Sequence, residues 1–537
     1  MNSDKKVLFK IRNLKKYFPL KKKSIFNKGP GEYVHANESI SLDIYQGETL
    51  GLVGESGCGK STFGRTLLQI YDQTEGTTLY YGKTIEETAP AYMLDMIKKI
   101  PSQFPKYHEE IDALNKIYEE LEKADTDEKR AELNEKAMFK RRDLEENYLN
   151  MVRIAGGLLA SDDLNKVSTM LKEKYDILKQ RTGILEKIEE IEQKTQMRSR
   201  TWEEYEKFLE EDVRYKDLIS QKSAKTKEIE EKDQTIEAYR KTFENDERFA
   251  ELEDQRDDGI DLSELNNEEM RALRKDLQMI FQDPYGSLDT KMTVGNIIGE
   301  GVLGHELFKS RKEKGYNEYI RETMEKCGLA PYFLHRYPHQ FSGGQRQRIG
   351  IARALALKPS FIVCDEAVSA LDVSIQSQII NLLQDLKDEN NLTYLFITHD
   401  LSVVKYISDR IGVMYLGVLV ELCESERIFE NPLHPYTKAL LRAIPRTDVD
   451  QGQELQVIEG DIPSAVKPPK GCRFHTRCEY AMDICGQFEP ELKEREDGHF
   501  VACHLLDVSE EEKQKAFEKN KIEKAKKEEE LEEMSAI

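Results

Sequence analysis

The stretch "GESGCGKST", Gly54–Thr62, constrains the fold of this chain more than any other segment. Before it, residues 40–53 alternate between apolar and polar side chains and then become continuously apolar. This pattern predicts two short strands, the second of them buried. After it, "FGRTLLQIY" has the pattern of a helix. A buried strand, a glycine-rich loop and a helix, in this order, predict a loop that binds phosphate.

The residue types in this loop suit particular parts of a nucleotide. Loop N–H groups and the helix start would surround a β-phosphate, Lys60 would reach β- and γ-phosphate oxygens, and Ser61 would hold Mg²⁺. The predicted phosphate-binding residues are Gly54, Glu55, Ser56, Gly57, Cys58, Gly59, Lys60, Ser61 and Thr62.

Three more polar positions follow apolar segments that read as strands. Asp365 and Glu366 end "SFIVCDE", His399 follows "TYLFIT", and Gln282 follows "MIF". An acid at the carboxyl end of a strand is placed to hold Mg²⁺, and the adjacent Glu366 to orient or deprotonate water. Taken singly, an acidic pair or a lone histidine at a strand end is more often structural.

The segment "FSGGQRQR", residues 341–348, is built like the start of a helix. Exposed N–H groups at such a start, with a serine hydroxyl beside them and no Cβ in the way, form an anion site. The sequence therefore predicts a second anion-binding element at Ser342, Gly343 and Gly344.

Together, and in this order, these motifs resemble the nucleotide-binding subunit of an ATP-binding-cassette (ABC) protein. The resemblance implies an α/β fold: an ABC-type P-loop NTPase with a RecA-like core, an antiparallel β subdomain and an α-helical subdomain. Phe341 replaces the leucine usual in the family signature, and Ala367 stands where proline commonly follows the acidic pair. Neither change removes a group that faces phosphate, so we expect an active ATPase.

The resemblance also implies roles for single residues. Glu366, His399 and Gln282 would be catalytic, and Ser61, Gln282 and Asp365 would organise Mg²⁺. Phe18, or alternatively Tyr17, would stack on adenine; the other interpretation of that ring is core packing. In this family the signature contacts ATP held by an opposing subunit, and one phosphate loop with one signature cannot close such a site. The remaining expected ATP-binding residues are Ser342, Gly343, Gly344, Gln345 and Asp372.

The segment Asn431–Pro445 resembles the C-terminal signature of oligopeptide and dipeptide importer ATPases, a branch that also contains nickel importers. This resemblance implies ATP-driven peptide import, with nickel import as an alternative. The expected partners are a second homologous ATPase subunit, two transmembrane permease subunits and an extracytoplasmic peptide-binding protein. We expect residues 283–294 to contact the permeases. The expected location is peripheral, at the cytoplasmic face of the cell membrane.

Composition narrows the possible partners and location. Lys+Arg 80 against Asp+Glu 101 gives a net charge of −21, which argues against nucleic acid as a main partner. The longest nearly apolar run, residues 411–420, is too short to span a bilayer. The N-terminal residues show no secretory signal, so we expect a cytoplasmic protein. A soluble coiled-coil ABC ATPase acting on DNA is an unfavoured alternative.

Four of the eight cysteines lie close together near the C-terminus: Cys472, Cys478, Cys485 and Cys503. They contain no close CxxC pair, which disfavours a zinc ribbon. Four thiolates from one segment suit a [4Fe–4S] cluster, and the resemblance to the peptide-importer branch implies one. Reduced thiols and a structural zinc site are the alternatives. Cys58 and Cys364 lie within nucleotide motifs and are expected to be buried fillers.

Helical patterns interrupt the ATPase between the phosphate loop and Gln282. We expect the core at 1–84 and 259–430, a helical insertion at 85–258, a C-terminal cysteine region at 431–507 and a charged tail at 508–537. The insertion is expected to be a helical hairpin or small bundle with solvated charged faces. Within it, Thr201 and Glu204 predict a capping box that starts one long helix. The tail is expected to be a charged helix or disordered.

Overall fold

The elements of the fold come from a computed structural model, which describes residues 5–20, 32–124, 126–199, 202–369, 371–443, 458 and 460–535. The strands are β1 (Val7–Pro19), β2 (Tyr33–Tyr45), β3 (Thr49–Val53), β4 (Glu75–Thr84), β5 (Gly259–Asp261), β6 (Leu277–Ile280), β7 (Phe361–Asp365), β8 (Thr393–Ile397), β9 (Arg410–Tyr415), β10 (Val418–Glu424), β11 (Lys493–Glu496) and β12 (His499–Val501).

The helices are α1 (Lys60–Leu67), α2 (Ile85–Thr88), α3 (Ala91–Gln103), α4 (Tyr107–Glu122), α5 (Asp127–Ala155), α6 (Leu164–Arg198), α7 (Trp202–Glu211), α8 (Val213–Arg240), α9 (Phe249–Asp254), α10 (Asn267–Leu273), α11 (Val294–Gly304), α12 (Tyr316–Lys326), α13 (Gly343–Leu355), α14 (Val373–Asn390), α15 (Leu401–Ile407), α16 (Ser425–Glu430), α17 (Pro435–Arg442) and α18 (Glu510–Ser535).

Two sheets organise the part of the chain that the structure describes. The smaller is antiparallel, with strand order β2-β1-β4-β5, and the larger has the order β11-β12-β10-β9-β3-β8-β7-β6. The strands β3, β7 and β8 are buried along their whole length, as their continuous apolar runs predict. Two strands over residues 40–53, the second one short and buried, are therefore confirmed, whereas the first begins at Tyr33 and is longer than expected.

Parallel pairing in the larger sheet brings the predicted polar positions together. β3 runs parallel to β8 and β9, β8 to β7, and β7 to β6. The carboxyl ends of parallel strands meet at one edge of a sheet. The phosphate loop after β3, Asp365 at the end of β7, His399 after β8 and Gln282 after β6 therefore share that edge.

Aromatic side chains fill the space between the two sheets. The ring of Phe9 on β1 is fully buried and contacts Phe361 on β7 at 4.6 Å and Tyr80 on β4 at 5.1 Å, between ring centroids. A separate set of buried residues, including Ile298, Ile320 and Ile349, packs the helices α11, α12 and α13 against the other face of the larger sheet. The phosphate-binding edge thus rests on a packed core on both faces.

The predicted insertion is a helical bundle between two paired strands. β4 and β5 pair with each other, with Tyr80 opposite Ile260, and the helices α2 to α9 lie between them in the sequence. The bundle has its own apolar core, in which Ile97, Val167 and Leu178 are fully buried. Since the sheet continues from β4 into β5, the bundle extends from the antiparallel sheet without breaking it.

The prediction that one long helix starts at Thr201 is wrong. The chain forms two helices, α7 and α8, with Asp212 between them. The carboxylate of Asp212 accepts hydrogen bonds from the backbone N–H groups of Arg214 and Tyr215, which makes it the N-cap of α8. Thr201 itself lies outside the described residues.

The C-terminal residues extend the larger sheet through β11 and β12 and then form α18. The charged tail is thus a helix, one of the two alternatives that the sequence allows. In the portion of the chain described, no helix has the length and apolar character needed to cross a bilayer.

Candidate active site

The phosphate loop joins the end of β3 to the start of α1. Gly59 has φ of 103°, and a Cβ there would lie 2.1 Å from the carbonyl oxygen of Ala36. Gly54 is equally confined, since its Cβ would lie 2.1 Å from the carbonyl oxygen of Met414. Only glycine allows the backbone to pass this close to its neighbours. The loop is therefore held tightly against β2 and β9.

The charge of Lys60 is directed into this loop. Its side chain is buried, and its Nζ donates hydrogen bonds to the carbonyl oxygens of Gly54 at 2.8 Å and Glu55 at 3.0 Å. Burial raises the pKa of the neighbouring Cys58 thiol, which keeps it neutral. The loop consequently presents a positive charge and a helix N-terminus on the same side, the combination that binds phosphate.

Asp365 meets the start of α1. The hydroxyl of Ser61 donates to Asp365 Oδ1 at 2.6 Å, and Arg65 Nη2 lies 3.2 Å from Asp365 Oδ2. Asp365 is fully buried at the end of β7. A serine hydroxyl and a carboxylate are hard oxygen donors, and Mg²⁺ prefers these together with water and phosphate oxygens. The residues therefore fit a Mg²⁺ ion that is bound together with a nucleotide.

Glu366 lies between the two other predicted catalytic residues. Gln282 Nε2 donates to Glu366 Oε2 at 2.6 Å, and His399 Nδ1 lies 3.3 Å from Glu366 Oε1. Glu366 has φ of 46°, in the left-handed region that favours glycine. Strained conformations of this kind persist only where surrounding contacts hold them. The structure thus brings Gln282, Glu366 and His399 together.

A cavity of about 340 Å³ is lined by the phosphate loop together with Gln282 and Glu366. Phe18 forms part of its wall and contacts the ring of Tyr71 edge-on at 5.3 Å between centroids. Tyr17 instead donates its hydroxyl to Glu38. Of the two aromatic candidates, Phe18 is therefore the one at the cavity. The lining consists of Phe18, Val34, His35, Ala36, Ser56, Gly57, Gly59, Lys60, Ser61, Thr62, Gln282, Glu366, Leu416, Gly417 and Ala465.

The signature segment forms a separate helix start. Ser342 is the N-cap of α13, its Oγ accepts a hydrogen bond from the N–H of Gln345, and the Gln345 side chain accepts one from the N–H of Ser342. A Cβ on Gly344 would lie 2.5 Å from Ile375 of α14. Among the described residues, none from 342–345 lines the cavity. The structure does not bring the signature to the chain's own phosphate loop.

Asp372 has a structural role within this chain. It is the N-cap of α14, and its carboxylate accepts hydrogen bonds from the Ser374 hydroxyl at 2.9 Å and the Ile375 N–H at 3.1 Å. These hydrogen bonds lower the pKa of Asp372, and the bond from Ser374 has the largest effect. Asp372 does not line the cavity.

With this geometry established, a family model described as "ABC transporter" matches residues 37–256 and 247–369. The chain belongs to the ABC transporter family. ATP hydrolysis is general for this family, so the chain is an ABC ATPase with the P-loop NTPase fold. A second model, "Oligopeptide/dipeptide transporter, C-terminal region", matches residues 420–485.

Curated relatives support the same assignment. The oligopeptide transport ATP-binding protein AppF of Bacillus subtilis is 54% identical over 250 residues, which cover 46% of this chain and 75% of that protein. The putative oligopeptide transport ATP-binding protein YkfD of the same organism is 55% identical over 249 residues, with the same coverage. A putative peptide import ATP-binding protein of Brucella ovis is 52% identical over 246 residues, which cover 46% of this chain and 77% of that protein.

The four C-terminal cysteines of the ABC ATPase share one small region. The N–H of Cys472 donates to the carbonyl oxygen of Cys485 at 2.8 Å. Burial raises the pKa of Cys472 to about 11 and that of Cys503 to about 12, and the neighbouring thiols add to both shifts. Yet no group of three or more His, Cys, Asp or Glu in the described ranges is arranged to hold a metal ion. The arrangement therefore does not support the expected [4Fe–4S] cluster.

Sequence reasoning missed several residues that shape the nucleotide cavity of the ABC ATPase. His35, Leu416 and Ala465 line it, and Arg477 forms an ion pair with Glu55 of the phosphate loop. His35 and Leu416 lie outside the motifs singled out in the sequence, and Ala465 and Arg477 lie within the matched C-terminal region but among none of its cysteines. Their roles depend on contacts between segments far apart in sequence, Arg477 and Glu55 being 422 positions apart.

Proposed function

We propose that this ABC ATPase hydrolyses ATP to power the import of oligopeptides or dipeptides. The observation that carries the ATPase chemistry is the Glu366 carboxylate, held between Gln282 and His399 at the cavity beside the phosphate loop. The relatives named for peptide transport, together with the match of the C-terminal region, support peptide as the substrate.

In the proposed nucleotide complex, adenine lies against Phe18 and the phosphates lie at the loop N–H groups. Lys60 exchanges its hydrogen bonds to the carbonyl oxygens of Gly54 and Glu55 for bonds to β- and γ-phosphate oxygens. Ser61, Asp365 and Gln282 are the residues that would hold Mg²⁺, which would supply positive charge to the transferring phosphate. The hydroxyl of Ser61 already lies at Asp365, so little rearrangement is required.

Hydrolysis requires a positioned water and a proton acceptor. We assign the acceptor role to Glu366, because its carboxylate is at the cavity and the amide of Gln282 orients it. His399 is half-exposed beside Glu366 and is placed to contact the γ-phosphate. Gln282 has a second role in this scheme, since its amide oxygen can orient the attacking water.

The active unit is proposed to be a pair of ATPase subunits. Ser342, Gly343, Gly344 and Gln345 form an anion-binding helix start that does not line the chain's own cavity. Such a start stabilises negative charge on a phosphate supplied by an opposing subunit. We propose a second homologous ATPase as that subunit, with Asp372 near the same interface.

The other proposed partners follow from peptide import. They are two transmembrane permeases, which residues 283–294 would contact, and an extracytoplasmic peptide-binding protein. Tyr285 in this segment is well exposed, and its ring lies 3.8 Å from the guanidinium carbon of Arg346. The chain would then lie peripherally at the cytoplasmic face of the membrane.

Replacing Glu366 tests the proposed chemistry. Glu366→Gln is expected to retain ATP binding but to lower ATP turnover about a hundredfold or more, as loss of a general base does. Turnover is measured as phosphate release by the assembled transporter, and binding by titration of the chain with the fluorescent analogue mant-ATP. Glu426→Gln, an exposed position on α16, is the control. Unchanged turnover of Glu366→Gln would remove this residue from the proposed role.

The [4Fe–4S] cluster remains a prediction from the cysteine residues. Iron and acid-labile sulfide analysis of anaerobically purified protein tests it, with Cys472→Ser as the comparison. Four irons per chain that are lost in the variant would support the cluster. Zinc, or no metal in either protein, would contradict it.

A further inference from the structure

We infer that the C-terminal segment Cys472–Cys478 holds the phosphate loop in its binding shape, with Arg477 as a positioning residue that acts through Glu55. The inference rests on the proposed ATP-binding role of Gly54–Thr62. It assigns to the C-terminal region a direct part in nucleotide affinity.

The central contact is a bidentate ion pair between Arg477 and Glu55. Arg477 Nη1 donates to Glu55 Oε2 at 2.8 Å, and Nη2 donates to Glu55 Oε1 at 3.1 Å. The Arg477 side chain is 4% exposed and that of Glu55 is 21% exposed. Such parallel, charge-assisted hydrogen bonds are strong and fix orientation as well as distance. The side chain of Glu55 is therefore fixed relative to the C-terminal region.

The backbone of Glu55 is held as well. Its N–H donates to the hydroxyl of Tyr436 at 2.9 Å, and Tyr436 is fully buried. The Tyr436 ring packs against Tyr415 at 4.7 Å and against Phe474 at 5.2 Å, between centroids. Phe474 belongs to the same segment as Arg477. The segment and its aromatic neighbours thus constrain both the side chain and the main chain at Glu55.

The same segment also contacts residues that line or support the cavity wall. Arg473 is buried, donates to the carbonyl oxygen of Leu416 at 2.5 Å and lies 3.1 Å from Glu38 Oε2. Glu38 in turn lies 3.1 Å from His35 Nδ1. Leu416 and His35 both line the nucleotide cavity. Two arginines, four residues apart, therefore connect one C-terminal turn to the phosphate loop and to the cavity wall.

These contacts have a specific consequence for binding. A glycine-rich loop has many conformations, and binding must order it unless other contacts have done so. Once phosphate is bound, the loop N–H groups are held by the nucleotide itself. Loss of the ion pair should therefore raise the Kd and KM for ATP while leaving kcat nearly unchanged.

The test compares full-length variants by titration of the chain with mant-ATP and by steady-state ATP hydrolysis of the assembled transporter. Arg477→Met is expected to raise the mant-ATP Kd and the KM for ATP about tenfold, the change that corresponds to about 1.4 kcal/mol. Its kcat is expected to stay within about twofold of the parent, because nucleotide orders the loop at saturation. Arg477→Lys keeps one charged donor and is expected to recover part of the affinity.

A double-mutant cycle shows whether the effect passes through Glu55. Glu55→Gln is nearly isosteric and is expected to weaken binding similarly, and adding Arg477→Met to it is expected to cause no further loss. Arg442→Met is the matched control, because Arg442 is a half-exposed arginine of the same region, 3.8 Å from Glu479. Its Kd is expected to equal that of the parent.

Three results would overturn the inference. They are an unchanged Kd in Arg477→Met, an equal loss of affinity from Arg477→Met with and without Glu55→Gln, and a fall in kcat with constant KM. If Arg477→Met does not fold, the Kd and KM for ATP of Glu55→Gln and Arg477→Lys are compared with those of the parent instead. Lys60→Ala separates this inference from the site assignment: normal mant-ATP binding by Lys60→Ala would refute the proposed loop function itself.

Discussion

Single residues at the catalytic edge depend on their neighbours for conformation. Glu366 has φ of 46°, and its N–H donates to the carbonyl oxygen of Ile397 at 2.9 Å. The Ser369 hydroxyl donates to the carbonyl oxygen of Glu366 at 3.0 Å. These contacts hold a backbone conformation that is unfavourable for glutamate and direct its carboxylate between Gln282 and His399. The residue type is readable in the sequence, whereas its orientation is a product of the fold.

His434 is a second residue whose properties depend on its surroundings. Burial lowers the pKa of His434 from its ordinary 6.5 to about 4. Its Nδ1 accepts the N–H of Tyr436 at 3.0 Å, which requires the neutral ring. Below the ordinary pKa the unfolded chain binds a proton that the folded chain cannot bind until the pH approaches 4. Stability should therefore fall as the pH decreases from about 6.5 to about 4, by up to about 3 kcal/mol.

We predict that His434→Asn reduces this pH dependence, because asparagine can still accept the Tyr436 N–H but does not titrate. The measurement is the midpoint of thermal unfolding at about pH 7.5 and about pH 5, a range in which histidine is the main titrating group. His335→Asn, at an exposed histidine, is the control and should keep the full decrease. An equal decrease in His434→Asn and the parent would contradict the assignment.

At the scale of elements, the helical insertion is joined to the antiparallel sheet by buried charge pairs. Glu75 on β4 lies 2.9 Å from Lys15 on β1 and also pairs with Arg141 on α5. Arg153 of the same helix donates to Asp261 on β5 at 3.3 Å. These pairs tie the bundle to the sheet on both sides of the point where it leaves the core. The insertion is therefore a packed part of the ATPase and shares its stability.

We predict that Glu75→Gln lowers the free energy of unfolding by about 2 kcal/mol, because Arg141 loses its ion pair with Glu75 and Lys15 keeps only Glu38, 3.6 Å away. Chemical denaturation monitored by circular dichroism measures the change. Glu119→Gln on the exposed face of α4 should leave stability unchanged. If the two variants are equally stable, the bundle does not depend on this contact.

A helix or strand could be predicted from the sequence where the residues within that element determine its structure. The buried strand before the phosphate loop and the helical bundle both follow from patterns of neighbouring residues. The interruption at Asp212 could not be predicted in this way. The surrounding residues have a continuous helical pattern, and one aspartate that can cap a helix is a weak signal against that pattern. Local sequence patterns predict an element reliably where several of them agree. They fail where a single side chain determines whether a helix continues or ends.

At the scale of the whole molecule, the two segments proposed to form an ATP site do not line one cavity within the described part of the chain. The phosphate loop lines the cavity, whereas Ser342 to Gln345 do not. Because this helix start does not line the chain's own cavity, the proposed two-subunit site predicts that the effect of changing it depends on assembly.

We predict that Ser342→Glu leaves mant-ATP binding by the isolated chain unchanged but lowers ATP hydrolysis by the assembled transporter at least about tenfold, since a new carboxylate would repel the opposing γ-phosphate. The two measurements are fluorescence titration and phosphate release. Ser310→Glu places the same charge at another exposed position and should affect neither. Normal hydrolysis by the Ser342→Glu transporter would exclude the two-subunit site.

The sequence alone specifies the chemistry of the site, because the glycines, Lys60, Ser61 and the strand-end residues act through short, local motifs. The family and its ATPase activity follow from the same motifs. Tertiary structure decides which distant groups support them. Examples are Arg477 at Glu55, Arg65 at Asp365 and Phe18 in preference to Tyr17 at the cavity. These pairings join residues from separate strands and loops, and only packing of the whole chain brings them within hydrogen-bonding or van der Waals distance.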